Sequence, residues 1–306
     1  MRALQRMVGH LSRWLQERHF MPGMVIHGRY EVEGRLGTGS YGVTYMCLDL
    51  SDNSKNVVLK TIQPLRGGDH RAQLIYDREL RAMQALDHPQ MPRLLDHFVY
   101  RKQRCLVMSF MNGYNMGELL FEQEHSFTER ESLQFMLELS QLVQQMHERQ
   151  MVHRDISLSN VLWDKGRIQL IDFGLTWHQD EPPALVQQLD ELVSGDEQEK
   201  VIRRSLHVRS DFYGMGHLLL YMLYSSFDEQ RLVTVAQGED NTHRHGTGRP
   251  ESEPLLDNAS WEQQLDIHPY THQLIRRLLQ ADTPYDRLED IQADLRQALS
   301  LLDADT

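Results

Sequence analysis

The sequence predicts an α+β chain, a strand-rich front part carrying one helix followed by a mainly helical back part, as one large domain or as two lobes sharing a cleft. Three observations predict it. Between Arg29 and Phe110, short runs of β-branched and aromatic residues alternate with Gly, Asn, Asp and Lys turns. Beyond Phe110 the apolar residues recur at helical spacing. At 306 residues and 40% hydrophobic composition, the chain can bury the core of one large domain or of two lobes sharing a cleft.

Residues 1–22 come first. Leu4, Met7, Val8, Leu11, Trp14 and Leu15 keep helical spacing, interleaved with Arg2, Arg6, Arg13 and Arg18, until Pro22 and Gly23 end the pattern. Such a basic amphipathic helix packs against its own domain in the plainest reading, with an anionic membrane surface or a partner protein as the second. The front lobe, 23–111, carries five strand runs, YEVEGRL, GVTYMCLDL, NVVLKTI, DHFVY and RCLVMSF. One helix interrupts them, from about Asp69 to Leu86, and Pro89 and Pro92 bar its continuation.

The back lobe, 112–306, opens with a capping-box pair, Thr128 and Glu131, before Phe135, Met136, Leu139, Leu142, Val143 and Met146 follow one helix face. Asp211 to Tyr224 is apolar nearly all round, which marks a helix buried within the domain. Residues 236–260 are polar and are expected to form a mobile surface insertion. Leu288, Ile291, Leu295, Leu299 and Leu302 define a closing amphipathic helix.

Charge and composition exclude some classes. A net charge of −12 offers no basic stripe to neutralise phosphates in series, so a nucleic-acid partner is not expected. Cys47 and Cys105 stand apart, in neither metal-like nor redox-like spacing, and read as reduced core thiols. The longest strongly apolar stretch, His217 to Tyr224, is far short of the roughly 20 residues a membrane-spanning helix needs. The start lacks an apolar run with a small-residue cleavage site, so a cytoplasmic setting is expected.

The chemistry concentrates in three places. Leu36, Gly37, Thr38, Gly39, Ser40, Tyr41, Gly42 and Val43 form a glycine-rich loop, whose backbone can approach a polyphosphate and turn N–H groups toward it. The glycine spacing alone also fits dinucleotide-binding folds, but there it opens a helix, whereas here β-branched and aromatic residues follow, which puts the loop between two strands. Lys60 ends an apolar strand run, and Glu79 lies nineteen residues on in the front lobe's one helix, where a carboxylate can orient the ammonium group. Each has a plainer reading, as a solvated edge lysine and as an exposed helix charge. The densest cluster is VHRDISLSNVLW from Val152 to Trp163, followed by IQLIDFGL from Ile168 to Leu175. Asp155, Asn160 and Asp172 stand there in an order that suits phosphoryl transfer, Asp155 to take or orient a hydroxyl proton, Asn160 and Asp172 as oxygen ligands for Mg²⁺.

With the glycine loop, the lysine and glutamate, HRD and DFG together, the chain resembles the Hanks-type (eukaryotic-like) serine/threonine protein kinases, and among them small cytoplasmic single-domain bacterial kinases. The resemblance covers about residues 29–300. It implies an antiparallel five-stranded front sheet, an ATP cleft between the lobes, and transfer of the γ-phosphate of MgATP, or MnATP, to serine and threonine hydroxyls, the enzyme itself included. It also implies that the loop with Tyr41 at its tip covers ATP, that Lys60 pairs with Glu79, and that Asp155 is the catalytic base. Asn160 and Asp172 would hold the metal, Met108 would be the gatekeeper, Ser109 to Met111 the hinge gripping adenine, and Leu162 a wall of the same site. Leu95, Met83, Phe173 and His153 would stack as a regulatory spine anchored by Asp211.

The pattern breaks in two places. Two residues after Asp155, where the family has a lysine aimed at the γ-phosphate, stands Ser157, and one cation fewer weakens charge stabilisation. Between Gly174 and Asp211 there is no A-P-E triplet, so Arg287, its usual partner, needs another, for which Glu197 and Glu199 are the candidates. Arg154 could dock a phosphorylated residue, with Thr176, Ser194 and Ser205 available, or pair with one of the segment's own carboxylates. Two alternatives therefore stand beside the active kinase: a nucleotide-binding pseudokinase scaffold, and a small-molecule phosphotransferase of the related fold. The protein substrate and the oligomeric state are not legible.

Overall fold

The computed structural model describes residues 20–38, 42–62, 68–183, 201–226 and 261–304. The N-terminal helix, the loop tip at Gly39, Ser40 and Tyr41, and the insertion at 236–260 lie outside the described residues.

The front lobe is one antiparallel sheet of β1 (Val25–Ile26), β2 (Tyr30–Thr38), β3 (Gly42–Asp49), β4 (Lys55–Ile62), β5 (Leu94–Tyr100) and β6 (Gln103–Ser109), in the order β1-β2-β3-β4-β6-β5. Five strands were expected and six are found. The addition is β1, whose Val25 and Ile26 pair with Glu31 and Tyr30. Two residues are too few to show a period, and the turn that folds them back depends on His27 and Gly28, both at positive φ.

Strand alternation decides which face each side chain serves. In β4, Val57 and Leu59 join an apolar cluster with Ile26, Tyr30, Val32, Tyr45, Cys47, Cys105 and Val107 on one face of the sheet. Val58 and Ile62 belong to the cluster on the other face, which sends Lys60, between them in phase, to the side where helix α1 (Gly68–Ala85) packs. Cys47 and Cys105 are free, fully buried thiols, and burial pushes both up to about 12.

The spine position assigned to Leu95 needs correction. Leu94 packs against the cluster that holds Met83 and Phe173, while Leu95 faces the opposite cluster. A one-residue slip along a strand exchanges faces, and β5 is irregular between Leu94 and Asp96, so the position carried over from the resemblance fell one leucine off.

The back lobe centres on α2 (Glu129–His147) and α3 (Arg209–Ser225). Thr128 and Glu131 form the reciprocal capping box, Glu131 N–H donating to Thr128 Oγ1 at 3.2 Å and Thr128 N–H to Glu131 Oε2 at 2.8 Å. Phe135, Met136, Leu139, Leu142, Val143 and Met146 are all buried. In α3 every residue from Ser210 to Leu223 except His217 and Tyr221 is buried, as its all-round apolarity requires. α3 packs against α2 and a helix at Pro269–Leu278, and α2 also meets the closing helix Leu288–Ala304. No helix among the described residues is long and apolar enough to cross a membrane.

Candidate active site

Two small pieces of sheet bring the back-lobe residues together. The strand Met151–Val152 pairs antiparallel with Trp177–His178, so the HRD turn and the residues after DFG leave one ribbon side by side. Between them, Val161–Asp164 and Arg167–Leu170 form a hairpin that returns the chain, and Ile171 N–H donates to Asn160 O at 2.9 Å. That closure joins Asn160 to the chain just before Asp172.

Asn160 Nδ2 donates to Asp155 Oδ2 at 2.8 Å and to Asp155 O at 2.9 Å. The amide thereby fixes the rotamer of the carboxylate and leaves its own Oδ1 as an acceptor. His153, fully buried, accepts Asp155 N–H at Nδ1 (3.2 Å), which makes Nε2 the protonated nitrogen facing Ile171 O, also at 3.2 Å. Phe173 crosses the His153 ring edge-on at 5.7 Å.

Asp211, at the start of α3, is the anchor beneath. Its Oδ2 accepts His153 N–H at 3.0 Å and lies 2.8 Å from His147 Nε2, and its Oδ1 accepts Arg154 N–H at 2.7 Å. Burial pushes this carboxyl upward, but the hydrogen bond and charge of His147 outweigh it and hold the group below its ordinary value. Arg154 and Asp172 adopt positive φ without being glycine, a strain that persists only where the surroundings over-determine it.

From the front lobe, Lys60 Nζ reaches Glu79 Oε1 at 2.7 Å and Asp172 Oδ1 at 2.8 Å, and Gly174 N–H donates to the same Asp172 oxygen at 3.1 Å. The Lys60 side chain is 12% exposed, that of Glu79 2%, whereas Asp172 is 44% exposed. Burial works against the Lys60 charge, but Asp172 and Glu79 hold the ammonium above its ordinary value. Burial also raises Glu79, to about 6, against the pull of Lys60. Desolvation works against the Asp172 charge as well, but Lys60 outweighs it and Asp172 ends below its ordinary value.

The remaining described site residues come from the strands flanking the glycine loop, from β6 and just beyond it, and from the strand Val161–Asp164. Leu36, Gly37 and Thr38 end β2, and Gly42 and Val43 begin β3, with Thr38 opposite Val43, so the loop does sit between two strands. A Cβ on Gly42 would meet Thr61 O at 1.8 Å, so strand packing demands this glycine; one on Gly37 would meet nothing within 4 Å. Met108 and Leu162 are buried, and Met108 lies opposite both Val58 and Leu94. Ser109 is tied to Arg93, its N–H donating to Arg93 O and its Oγ accepting Arg93 N–H, both at 2.9 Å, while Met111 is half-buried beyond.

Several expectations shift. Thr176 is fully buried, so its hydroxyl is not a docking site for modification in this conformation. Arg154 donates from its guanidinium to two backbone carbonyls, those of Arg204 at 2.5 Å and Leu175 at 3.4 Å. Arg287 pairs with Glu289 at 3.3 Å on the surface; Glu197, Glu199 and Ser194 lie outside the described residues. Sequence reasoning missed the contact of His147 with Asp211 and that of Arg78 with Glu181, both joining residues far apart in the chain. The only advance signal was a charged residue beside Glu79 in a helix that must bury one side.

Ser157 Oγ lies 3.0 Å from Ser159 Oγ, a neutral pair where a cation would serve the transferring phosphoryl group. Ser157→Lys is therefore expected to raise kcat about tenfold or more, measured as initial rate at saturating ATP. An unchanged kcat shows that another group already supplies the charge.

The model of the protein kinase domain family matches residues 30–297. The chain is 27% identical over 289 residues to the probable serine/threonine-protein kinase YbdM of Bacillus subtilis, over 94% of this chain and 96% of that protein. It is 26% identical over 247 residues to serine/threonine-protein kinase B of Synechocystis, over 72% of this chain and 41% of that one. Aurora kinase B of Xenopus tropicalis is 32% identical over 155 residues, 49% of this chain and 41% of that protein. A kinase-domain crystal structure superposes with a TM-score of 0.53 at 17% identity, over 67% of each chain, a likeness of fold.

Proposed function

The chain belongs to the protein kinase domain family, and from that premise we propose that it moves the γ-phosphate of MgATP to serine and threonine hydroxyls of proteins, its own among them. The observation that carries the reading is the alignment of Lys60 between Glu79 and Asp172 while Asn160 holds Asp155 by its Oδ2. Phosphoryl transfer asks mostly for positioning and charge, and both are provided by buried or hydrogen-bonded groups.

Lys60, oriented by Glu79, would grip the nucleotide phosphates. Asp155, its rotamer fixed through one oxygen, would take the hydrogen of the attacking hydroxyl on the other. The metal's donor set fits a hard cation: Asn160 Oδ1 and the half-exposed Asp172 carboxylate are oxygens on adjoining backbone, and among the described residues no three His, Cys, Asp or Glu converge into a cage of their own. Mg²⁺ suits such a partial site, because it completes its shell with waters and phosphate oxygens. When bound there, Mg²⁺ or Mn²⁺ would neutralise phosphate charge. The names of the full-length Bacillus relative and the Synechocystis relative support serine and threonine as acceptors. Two buried free thiols accord with a reducing, cytoplasmic setting.

The acceptor is tested by incubating the protein with labelled ATP and a generic basic protein, then identifying the labelled amino acids. Phosphoserine and phosphothreonine are expected; label on tyrosine alone, or only on a metabolite, contradicts the reading. Ser157 favours the scaffold reading instead, and nucleotide binding with no label anywhere would establish it.

A further inference from the structure

Helix α1 must stay against the sheet for Glu79 to meet Lys60, and the residue before Glu79 is the most deeply buried cation in that helix's ion pairs. Arg78 has a side chain 2% exposed, and its guanidinium makes a forked contact with Glu181, Nε to Oε2 at 3.1 Å and a second bond to Oε1. Glu181 lies nine residues after Asp172, just past the strand Trp177–His178. Its backbone is tied down on both sides: Glu181 N–H donates to His178 O at 2.8 Å, and Trp177 Nε1–H to Glu181 O at 3.2 Å. The turn is fixed in its own right by Gln179 N–H, which donates to Gln150 O at 2.9 Å. One turn on in the helix, Arg81 meets Asp180 at 2.6 Å, but there the side chains are 53% and 61% exposed.

We propose that Arg78 and Glu181 are positioning residues that lock α1 onto the segment after Asp172, so that Glu79 reaches Lys60 without any phosphorylated residue. The proposal rests on the protein kinase reading. A buried guanidinium fork donates to two oxygens of a carboxylate or of a phosphate equally well. In kinases the Lys–Glu ion pair is what helix position and segment phosphorylation govern. Here the chain supplies the anion itself, as a carboxylate on a backbone held by these hydrogen bonds. The geometry also explains how an arginine can sit buried beside Glu79: its Nε and Nη2 are both paired with the Glu181 carboxylate, which offsets its desolvation.

The test uses the full chain. Glu181→Gln and Arg78→Gln are each expected to lower kcat roughly 10- to 100-fold, the penalty of a misplaced catalytic group, with a smaller change in KM for ATP. The charge-swapped double variant Arg78→Glu with Glu181→Arg is expected to recover part of the loss, which a role confined to general folding would not give. Arg81→Ala, which cuts only the exposed pair, should stay within about twofold of wild type. Wild type treated with phosphatase, and shown by mass spectrometry to carry no phosphate, is expected to keep its initial rate. Loss of that rate, or single variants as active as wild type, overturns the proposal. Amide hydrogen exchange across residues 68–85 separates this from the kinase reading: faster exchange in Glu181→Gln supports the lock even if no variant transfers phosphate, and unchanged exchange sinks it.

Discussion

Lys60→Ala is expected to lower kcat/KM for ATP by roughly 10²- to 10³-fold, the loss that follows removal of one electrostatic donor from a preorganised site. The substitution also strands Glu79, whose side chain is 2% exposed and which would lose its ion-pair partner. An isolated buried carboxylate takes up a proton, so the variant is expected to show Glu79 titrating above its present value of about 6. The wild type carries the same chemistry as a pH dependence. Glu79 has its folded value above its ordinary 4.5, so as pH falls through the window between the two it gains a proton in the folded state first. Its contribution to stability therefore grows toward the acid side while the Lys60 pair is lost, and kcat/KM should fall below about pH 6 with the fold intact. A pH–rate profile with parallel thermal melts checks both halves.

Asp211→Ala is the second large effect. The carboxylate takes the backbone N–H groups of His153 and Arg154 at 3.0 and 2.7 Å, in a place fully shut off from water. Leaving a buried donor unmade costs about 1–3 kcal/mol each, so a loss of about 2–5 kcal/mol and a fall in Tm of roughly 5–15 °C are expected. Activity should fall further than stability implies, because Arg154 holds a positive φ and, once released, would let Asp155 turn. Asp211→Asn keeps one of the two acceptors and should lose less. The folded value of Asp211 is depressed, so its contribution is present above its ordinary 3.8 and is lost as pH falls through the folded value. Thermal melts read beside kcat at a temperature where every variant is folded separate the two effects.

How much of this was legible in the sequence follows from what each signal depends on. The capping box at Thr128, the all-round apolarity of the Asp211 helix and the strand after Gly42 are local, and local chemistry fixes them wherever they end up in space. Asp155, Asn160 and Asp172 were legible because they sit on one short stretch whose hairpin closes on itself. The errors are of another kind. Leu95 was carried over from the resemblance in place of Leu94, and the irregularity between Leu94 and Asp96 is what shifts the inward face by one residue. Val25–Ile26 was missed because two residues have no period. The Arg78 contact joins positions 103 residues apart, and nothing in composition or spacing announces which acid a buried arginine will find. Gly42 was read as part of a phosphate-facing loop, and the structure adds a packing reason for it, since the backbone of Thr61 occupies the space a side chain there would need.

The central claim is that this geometry transfers phosphate, and the most direct measurement is label taken up from γ-labelled ATP by wild type, Lys60→Ala and Asp155→Asn side by side. Asp155→Asn keeps the shape of the side chain and its place beside Asn160 while removing the charge that would accept the hydroxyl proton. Clear incorporation by wild type, with at least about a hundredfold less in both variants, is the predicted result. Incorporation equal in all three would contradict it.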